Sequence, residues 1–409
     1  FLYFIGKKKT MGILGLSKLL HERAPGSAKE SEMKAYFGRR IAIDASMAIY
    51  QFVIAMRGFD NGESVELTNA NGEVTTHLNG LWLRTLRMLD EGLRPVYVFD
   101  GAAPEMKRGE LEERRKKAQE ARDELEKAKE EGDAEAMEKL SKRTVRVGRA
   151  QMDECKRLLD MMGVPYVQAA GEAEAQCVEL VRKKRCWAVA TEDMDALTFG
   201  APIMLRHLTF SEAKKRPVME YNIDTVLQRL GFTMDQFIDL CILLGCDYCD
   251  KIHGIGPQKA FEGIRDHKNI EAFIATLDQA KHPLPENFPV DQVRQLFKQP
   301  AVAPADEIEI QYKEPQEEEL IDFLCKEKLF NEDRIRRGVE KLKKALQQKQ
   351  QKRIDSFFSV VPSAPKPVAK EALAKGKRGT ATNPAAGSGE AALKARRAGT
   401  TGHKKAVKK

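Results

Sequence analysis

Two acidic steps stand out in the sequence, Glu172-Ala173-Glu174 and Glu192-Asp193-Met194-Asp195, with the apolar run Cys186-Trp187-Ala188-Val189-Ala190 between them. Two other apolar runs end on a carboxylate, Ile41-Ala42-Ile43-Asp44 and Val96-Tyr97-Val98-Phe99-Asp100, and Asp247 follows the apolar stretch 237–244. A single such acid explains itself as a helix cap, because an Asp between strand and helix accepts hydrogen bonds from free backbone amides. For Asp44, followed by Ala45-Ser46-Met47, capping and site chemistry are equally good readings. For the whole set capping is a poor explanation, since five or more carboxylates meeting in one crevice repel one another and call for cations. Oxygen donors with no His or Cys beside them favour Mg²⁺ or Mn²⁺ over zinc. The chemistry implied is metal-assisted phosphoryl transfer.

Short apolar runs of this kind read as buried strands. In an open α/β sheet the carboxyl ends of parallel strands collect at one edge, where ligands bind, so these strands deliver their acids to one place. The expected fold is therefore α/β, a central mostly parallel sheet flanked by helices. Helical spacing at Leu16, Leu19 and Leu20 precedes the first strand, and Tyr50, Phe52 and Arg57 lie on the helix after Asp44. Asn61-Gly62 and Asn71-Gly72 mark residues 58–72 as a loop between two helices. An amphipathic pattern resumes at 77–89, 152–162 reads as a helix, 164–167 as a strand, and 171–181 as a helix opening on the first acidic step. Residues 200–220 read as irregular and β-like, the chain from 224 as mostly helical, 282–315 as a Pro-rich loop, and 317–346 as helical again.

The chain has 409 residues, 42% hydrophobic and 32% charged, with a formal net charge of +8. That is enough to bury the core of one large α/β unit, while the last stretch is too polar to join it. An acidic crevice inside a basic protein fits a polyanionic substrate held by Lys and Arg, although net charge alone is equally well a generic solvated surface. The apolar start, residues 1–6, is too short for a membrane span, and the basic Lys7-Lys8-Lys9 follows it, the reverse of a secretory signal. No other stretch is long and apolar enough to cross a bilayer, so a soluble protein is expected.

Seven cysteines, an odd number, suggest reduced thiols. Cys241, Cys246 and Cys249 follow a C-x4-C-x2-C spacing seen in iron–sulfur ligation, with Cys325 available as a fourth ligand. The favoured reading is small core hydrophobes, because Cys241 lies inside the apolar run 237–244.

Over 104–146 the composition changes to Glu, Lys, Arg and Ala, with pairs such as Glu112 and Lys116 spaced to support exposed helix. A solvated helical hairpin is the ordinary interpretation. Here the segment starts straight after Asp100, so Lys107 and Arg114 can be carried over the acids, where they would grip a phosphate. Gly254-Ile255-Gly256-Pro257-Gln258-Lys259-Ala260 reads as a Gly-rich hairpin between helices, whose amides could cradle a DNA phosphate without reading sequence. After 346 the chain turns to Pro, Ala, Gly and Lys and is expected to be disordered. Phe357 and Phe358, adjacent aromatics in such a tail, read as anchors for a partner.

These residues together identify a resemblance. The chain, from Met11 to about Phe358, resembles the eukaryotic flap endonucleases within the XPG-like 5′ nuclease group. The motifs that carry it are Ile41-Ala42-Ile43-Asp44-Ala45-Ser46, Val98-Phe99-Asp100-Gly101, Glu172-Ala173-Glu174-Ala175, Ala190-Thr191-Glu192-Asp193-Met194-Asp195 and Leu243-Leu244-Gly245-Cys246-Asp247-Tyr248. The resemblance implies a PIN-like nuclease core with a helical arch, a helix-hairpin-helix element and a disordered basic tail. Its parts would be an N-terminal extension at 1–10, an N-terminal nuclease region at 11–114, an arch at 103–146, and an internal nuclease region at 136–267 with the helix-hairpin-helix at about 237–267. A C-terminal helical part would follow at 268–346, then a tail at 347–409 containing a clamp-binding box at 351–358. Met11 is read as the true start, so that the extension would crowd the DNA near Gly12 unless removed or disordered.

By the same resemblance, Asp44, Asp100, Glu172, Glu174, Asp193, Asp195 and Asp247 are metal carboxylates for two Mg²⁺, replaceable by Mn²⁺. Lys107 and Arg114 are the arch cations, and Tyr50 stacks near the scissile nucleotide. DNA contacts fall on Gly12, Arg57, Arg84, Glu172, Gly245 and Asp247, on Gly254, Gly256 and Lys259 of the hairpin, where K⁺ can bridge to a duplex phosphate, and on Thr75 in the 3′-flap segment 72–78. Gln351, Ile354, Phe357 and Phe358 occupy the defining positions of a box for the sliding clamp PCNA. The implied activity is 5′ flap endonuclease and 5′–3′ exonuclease by two-metal-ion hydrolysis, in Okazaki-fragment maturation and long-patch base excision repair. A monomer in the nucleus is implied, with nucleolus and mitochondrion as further sites. The chain departs from the family pattern at Gly171, Cys246, Ala102 and Gln258. The rival readings are a catalytically inactive clamp-bound DNA-binding protein and a metal-dependent phosphatase of small molecules.

Overall fold

The computed structural model describes residues 12–347 apart from 57, 61–62, 66–67, 146 and 211–215. Arg57 and the clamp-box residues Gln351, Ile354, Phe357 and Phe358 therefore lie outside the described residues. Nine strands occur among them: β1 (Ala28–Ser31), β2 (Arg40–Asp44), β3 (Gly58–Asp60), β4 (Glu63–Val65), β5 (Arg94–Phe99), β6 (Tyr166–Gln168), β7 (Ala188–Ala190), β8 (Ile203–Arg206) and β9 (Val218–Asn222). Seven of them form one sheet in the order β1-β9-β8-β7-β2-β5-β6. The five strands from β8 to β6 run parallel, and β9 and β1 complete the far edge in antiparallel fashion.

The central strands β2, β5 and β7 are almost wholly apolar because both faces of the sheet are covered there. Side chains alternate across it. Ala42, Val96, Val98 and Val189 belong to one buried cluster, whereas Ile41, Ile43, Tyr97, Phe99, Ala188 and Ala190 belong to the other. The first face packs against the helices Leu16–Arg23, Ala173–Arg182, Ile223–Leu230, Met234–Leu244 and Pro257–His267. The second is covered by Ala45–Met56, Thr76–Asp90, Arg149–Met162 and Glu332–Gln347. The result is a three-layer α/β/α arrangement.

Two expectations are corrected. Residues 58–72 are not plain loop, since β3 and β4 pair antiparallel there, bringing Asp60 opposite Glu63. The sequence has two residues, Asn61-Gly62, between those positions, the strongest short-range hairpin signal. Residues 282–315 are not loop throughout either, since a helix spans Val290–Lys298. The helical segment expected at 317–346 is present, in pieces. A helix at Glu317–Ile321 passes into a π-helical segment Asp322–Glu327. Leu329 then adopts φ 58°, and a new helix at Glu332–Gln347 starts after Asn331, whose side chain accepts from the Arg334 amide at 3.0 Å. A left-handed residue and a fresh cap stop one helix and start another.

The polar segment after Asp100 forms a helical pair, Arg108–Glu131 and Ala134–Arg143, turning at Gly132 with φ 71°. Asp133 caps the second helix through the Ala136 amide at 3.0 Å. The pair has its own small apolar cluster of Ala121, Ala128, Met137 and Leu140. Cys241 is fully buried in the first core cluster, while Cys325 packs against the second, so the four thiols of the iron–sulfur spacing are divided between opposite sides of the sheet.

Candidate active site

Strands β7, β2, β5 and β6 are neighbours, and each ends at the same edge of the sheet. β2 delivers Asp44 as its last residue and β5 delivers Asp100 one residue past its end, while the turns after β6 and β7 carry Glu172 and Asp193. Glu174 sits in the first turn of the helix Ala173–Arg182, Asp195 opens the short helix Asp195–Thr198, and Asp247 follows the helix Met234–Leu244 after Gly245. The structure thus brings all seven predicted acids to one crevice: the charges of six act on one another, and Glu172 shares Lys107 with Asp247.

Local hydrogen bonds set their orientation. Asp44 Oδ1 accepts from the Met47 amide at 3.0 Å and Oδ2 from Thr191 Oγ1 at 3.2 Å. Asp44 thus also caps its helix, so both readings of that residue hold at once. Asp193 Oδ1 accepts from the Asp195 amide at 2.9 Å, and Asp100 Oδ1 from the Ala173 amide at 2.9 Å.

The electrostatics are those of acids crowded away from water. Burial, with the charges of Asp100 and Asp193, pushes the Asp44 carboxyl up to about 7. Burial raises Glu174 well above the carboxylate range, helped by Asp44 and Asp100, and raises Asp195 likewise, helped by Asp193 and Asp247. Asp193 is raised by burial and by Asp247.

Two cations lean into this crevice from the helical pair. Lys107 ends the 3₁₀ turn Glu105–Lys107, with a side chain only 15% exposed; its Nζ pairs closely with Glu172 and lies 3.4 Å from Asp247 Oδ2. Arg114 donates from Nη2 to Asp247 Oδ2 at 2.6 Å and from Nε to Glu110 at 3.1 Å. Burial works against both charges, but Glu172, Glu174 and Asp247 around Lys107, and Asp247 and Glu110 around Arg114, outweigh it and push both groups up.

The donor set fits divalent ions in chemistry: it is carboxylate oxygen, and the buried Asp195 Oδ1 has no hydrogen-bond partner among the described residues. In their present positions, however, no three His, Cys, Asp or Glu residues among the described residues are grouped so that they could hold an ion. Lys107, paired to Glu172 and Asp247, and Arg114, paired to Asp247, are the charges that oppose the acids here.

The other predicted residues are placed as follows. Tyr50 is half-buried on the helix Ala45–Met56, six residues beyond Asp44. Thr75 is buried just before the helix Thr76–Asp90. Arg84 lies over the Phe52 ring at 4.6 Å and donates to the Thr209 carbonyl at 2.5 Å, and burial lowers its guanidinium to about 10. The hairpin residues Gly254, Gly256 and Lys259 are exposed at the start of the helix Pro257–His267. Gly245 leaves the preceding helix at φ 95°, a conformation that side chains disfavour.

Sequence reasoning missed two features. Tyr248, fully buried, donates its hydroxyl to Glu172 in a close contact, and burial and Glu172 push its phenol well up. An aromatic directly after a site acid was the available signal. Gly12, read from the resemblance as a DNA contact, lies against Asp193: a Cβ there would stand 1.9 Å from Asp193 Oδ1, and φ is 72°.

Gly12→Ala is therefore expected to turn the Asp193 carboxylate out of place. Cleavage should fall roughly 10–100-fold, the range for residues that orient metal ligands, with about 1–2 kcal/mol of lost stability from the left-handed backbone. Single-turnover cleavage and thermal melts measure the two parts separately.

The raised Asp44 group gives a second expectation. Its pKa goes from the ordinary 3.8 to about 7 in the folded protein. Between those values the folded state binds more protons than the unfolded, so stability falls as pH rises through the window. Asp44→Asn removes that contribution. Without divalent ions, the variant's melting temperature should gain on the parent's from pH 4 to pH 7, by about 2 °C or more, and level off above it. A melting difference that stays flat with pH, measured in a chelator, would show that Asp44 ionises normally.

The comparisons with known proteins agree with this geometry. The XPG N-terminal domain model matches residues 11–121 and the XPG I-region model residues 163–247. The chain is 59% identical over 399 residues to flap endonuclease 1 of Trypanosoma cruzi (strain CL Brener), covering 98% of this chain and 100% of the relative. It is 53% identical to flap endonuclease 1 of Nematostella vectensis, over 90% of this chain and 96% of that one. Among solved structures it is similar to a flap endonuclease-1 from Methanococcus jannaschii, with a TM-score of 0.62 and 30% identity over 80% of this chain and 98% of that one. The catalytic core of Rad2 in complex with DNA substrate matches with a TM-score of 0.62 and 25% identity, over 81% of this chain and 100% of that one.

Proposed function

This chain belongs to the flap endonuclease family of XPG-type nucleases, and from that premise we propose that it works as follows. It is a structure-specific nuclease that hydrolyses DNA phosphodiesters at the base of 5′ flaps, with 5′–3′ exonuclease activity, in Okazaki-fragment maturation and long-patch base excision repair. The observation that carries this is the gathering of seven acids at one edge of the parallel strands, with Lys107 and Arg114 reaching into the same crevice.

Asp44, Asp100, Glu172, Glu174, Asp193, Asp195 and Asp247 would hold two Mg²⁺, for which Mn²⁺ could substitute. When bound, the ions supply Lewis-acid charge at the phosphate and a more easily ionised water. Thr191 and the Met47 amide keep Asp44 in one orientation, and Tyr248 does the same for Glu172. Lys107, which pairs with Glu172 and Asp247, would supply positive charge to the scissile phosphate. Arg114, anchored by Glu110, adds a second positive charge beside it. Tyr50 stacks on the nucleotide at the cleavage point.

Gly254 and Gly256 present amides at the start of the helix Pro257–His267, which with Lys259 suit a duplex phosphate, and a K⁺ can bridge there. Arg57, Arg84 and Thr75 make further DNA contacts, Thr75 toward a one-nucleotide 3′ flap. The box at Gln351, Ile354, Phe357 and Phe358 binds the sliding clamp PCNA. The protein acts as a monomer in the nucleus, in keeping with the basic clusters at 375–378 and 403–405.

The test is cleavage of a labelled double-flap DNA with Mg²⁺ and with a chelator. Cutting at the flap junction that needs the ion supports the proposal. DNA that is bound but not cut would assign the chain to the binding-protein reading.

A further inference from the structure

The turn that presents Asp247 is closed by two thiols. Cys246 and Cys249 pair through an isolated antiparallel β-bridge, and their Sγ atoms are 3.6 Å apart. Opposed residues in such pairs have Cα atoms about 4.5–5.5 Å apart, inside the window of about 4.4–6.8 Å that a disulfide spans. The sulfurs must draw together from 3.6 Å to about 2.05 Å to bond, which pulls the two ends of the turn toward each other.

The two residues between them both face the crevice. Asp247 accepts from Arg114 and lies beside Lys107, and Tyr248 donates to Glu172. A covalent tie across this tight turn cannot form without altering the directions of Asp247 and Tyr248. We infer that Cys246 and Cys249 are a site of reversible oxidation, whose disulfide lowers the activity of the acidic site by displacing the turn between them.

With a peroxide as oxidant, the step balances in two stages. The half-buried Cys246 thiol reacts with hydrogen peroxide to give a sulfenic acid and one water. The Cys249 sulfur then attacks that sulfur, forming the disulfide and releasing a second water. Two thiols are oxidised by two electrons and the peroxide is reduced. Cys246 is only partly exposed, so the reaction is slow compared with that of a fully exposed cysteine. Cys249 is 7% exposed, which keeps the second stage within the pair and away from outside thiols.

The loss of activity rests on the nuclease function proposed above, but the oxidation itself does not. The experiment treats the full chain with hydrogen peroxide for increasing times, blocks remaining thiols by alkylation, and follows peptide mass and flap-DNA cleavage in parallel. The expected result is a peptide spanning 246–249 that has lost two hydrogens and takes no alkyl groups on those residues. Cleavage should be slower by about tenfold, as for displaced neighbours of a metal ligand, and dithiothreitol should restore it. Cys246→Ser and Cys249→Ser should each abolish the link and leave cleavage unaffected by peroxide. Absence of the link, or its persistence in Cys249→Ser through the nearby Cys241, overturns the assignment. A linked protein that cuts as fast as the reduced one overturns the effect on the site. Because mass reports the link without turnover, a chain that proves not to be a nuclease fails in the reduced control and is told apart from either result.

Discussion

Asp193→Asn is expected to slow flap cleavage by roughly 10²–10³-fold, the loss seen when one preorganised charged group is removed from a reaction centre, or about 3–4 kcal/mol of barrier. Asp193 lies at the centre of the site: the Asp195 amide orders its carboxylate, Gly12 backs against it, and it acts electrostatically on Asp44, Glu174 and Asp195. Asparagine keeps the Oδ1 acceptor for the Asp195 amide and removes only the charge, so the change tests charge and not shape. DNA affinity should change little, since the crevice acids repel a phosphate unless cations intervene. The fold should tolerate the change or gain from it, because a buried carboxyl held above its ordinary pKa opposes folding at neutral pH. Single-turnover cleavage with saturating enzyme, beside a binding titration, gives both quantities. Cleavage within tenfold of the parent would remove Asp193 from the reaction centre.

The second large effect is expected at Lys107. Lys107→Ala should lower single-turnover cleavage by about 10²-fold while changing duplex affinity less than about threefold, because a group that meets charge only in the transition state raises the rate and not the binding. Its neighbours explain why it is poised for this. Glu172 and Asp247 hold the ammonium in the crevice and Tyr248 lies 5.9 Å beneath it, so the charge stays in place although the side chain is largely buried. Removing it leaves Arg114 as the cation on Asp247, at 2.6 Å, and leaves Glu172 to the Tyr248 hydroxyl. Arg114→Ala in the same background should cost less than it does alone, since residues sharing one partner are not additive. If Lys107→Ala weakens binding and leaves single-turnover cleavage intact, its role is in substrate capture and not in the chemical step.

Much of this site was legible before any coordinates, for local reasons. An apolar run that ends on an acid is a strand with its carboxylate at the carboxyl end, and parallel strands share that edge. Asp44, Asp100 and Asp193 could be placed that way. Where a reading failed, a local signal had been outweighed or passed over. The Asn61-Gly62 pair marked a hairpin and not just a loop, and the prolines of 282–315 concealed the helix Val290–Lys298 between them.

The residues alone determined the α/β class, the placing of acids at strand ends, the polar helical pair and the Gly-rich hairpin, because each depends on neighbours a few positions away. The tertiary structure alone decided which groups meet in the crevice. Lys107 reaches Glu172 across 65 positions, Tyr248 reaches the same Glu172 across 76, and Arg114 reaches Asp247 across 133. Contacts of that span depend on the order β7-β2-β5-β6 and on the helices that close over its edge, and no short-range pattern records that order. The same holds for Gly12 against Asp193, where it is the absence of a side chain that lets an acid stand in place.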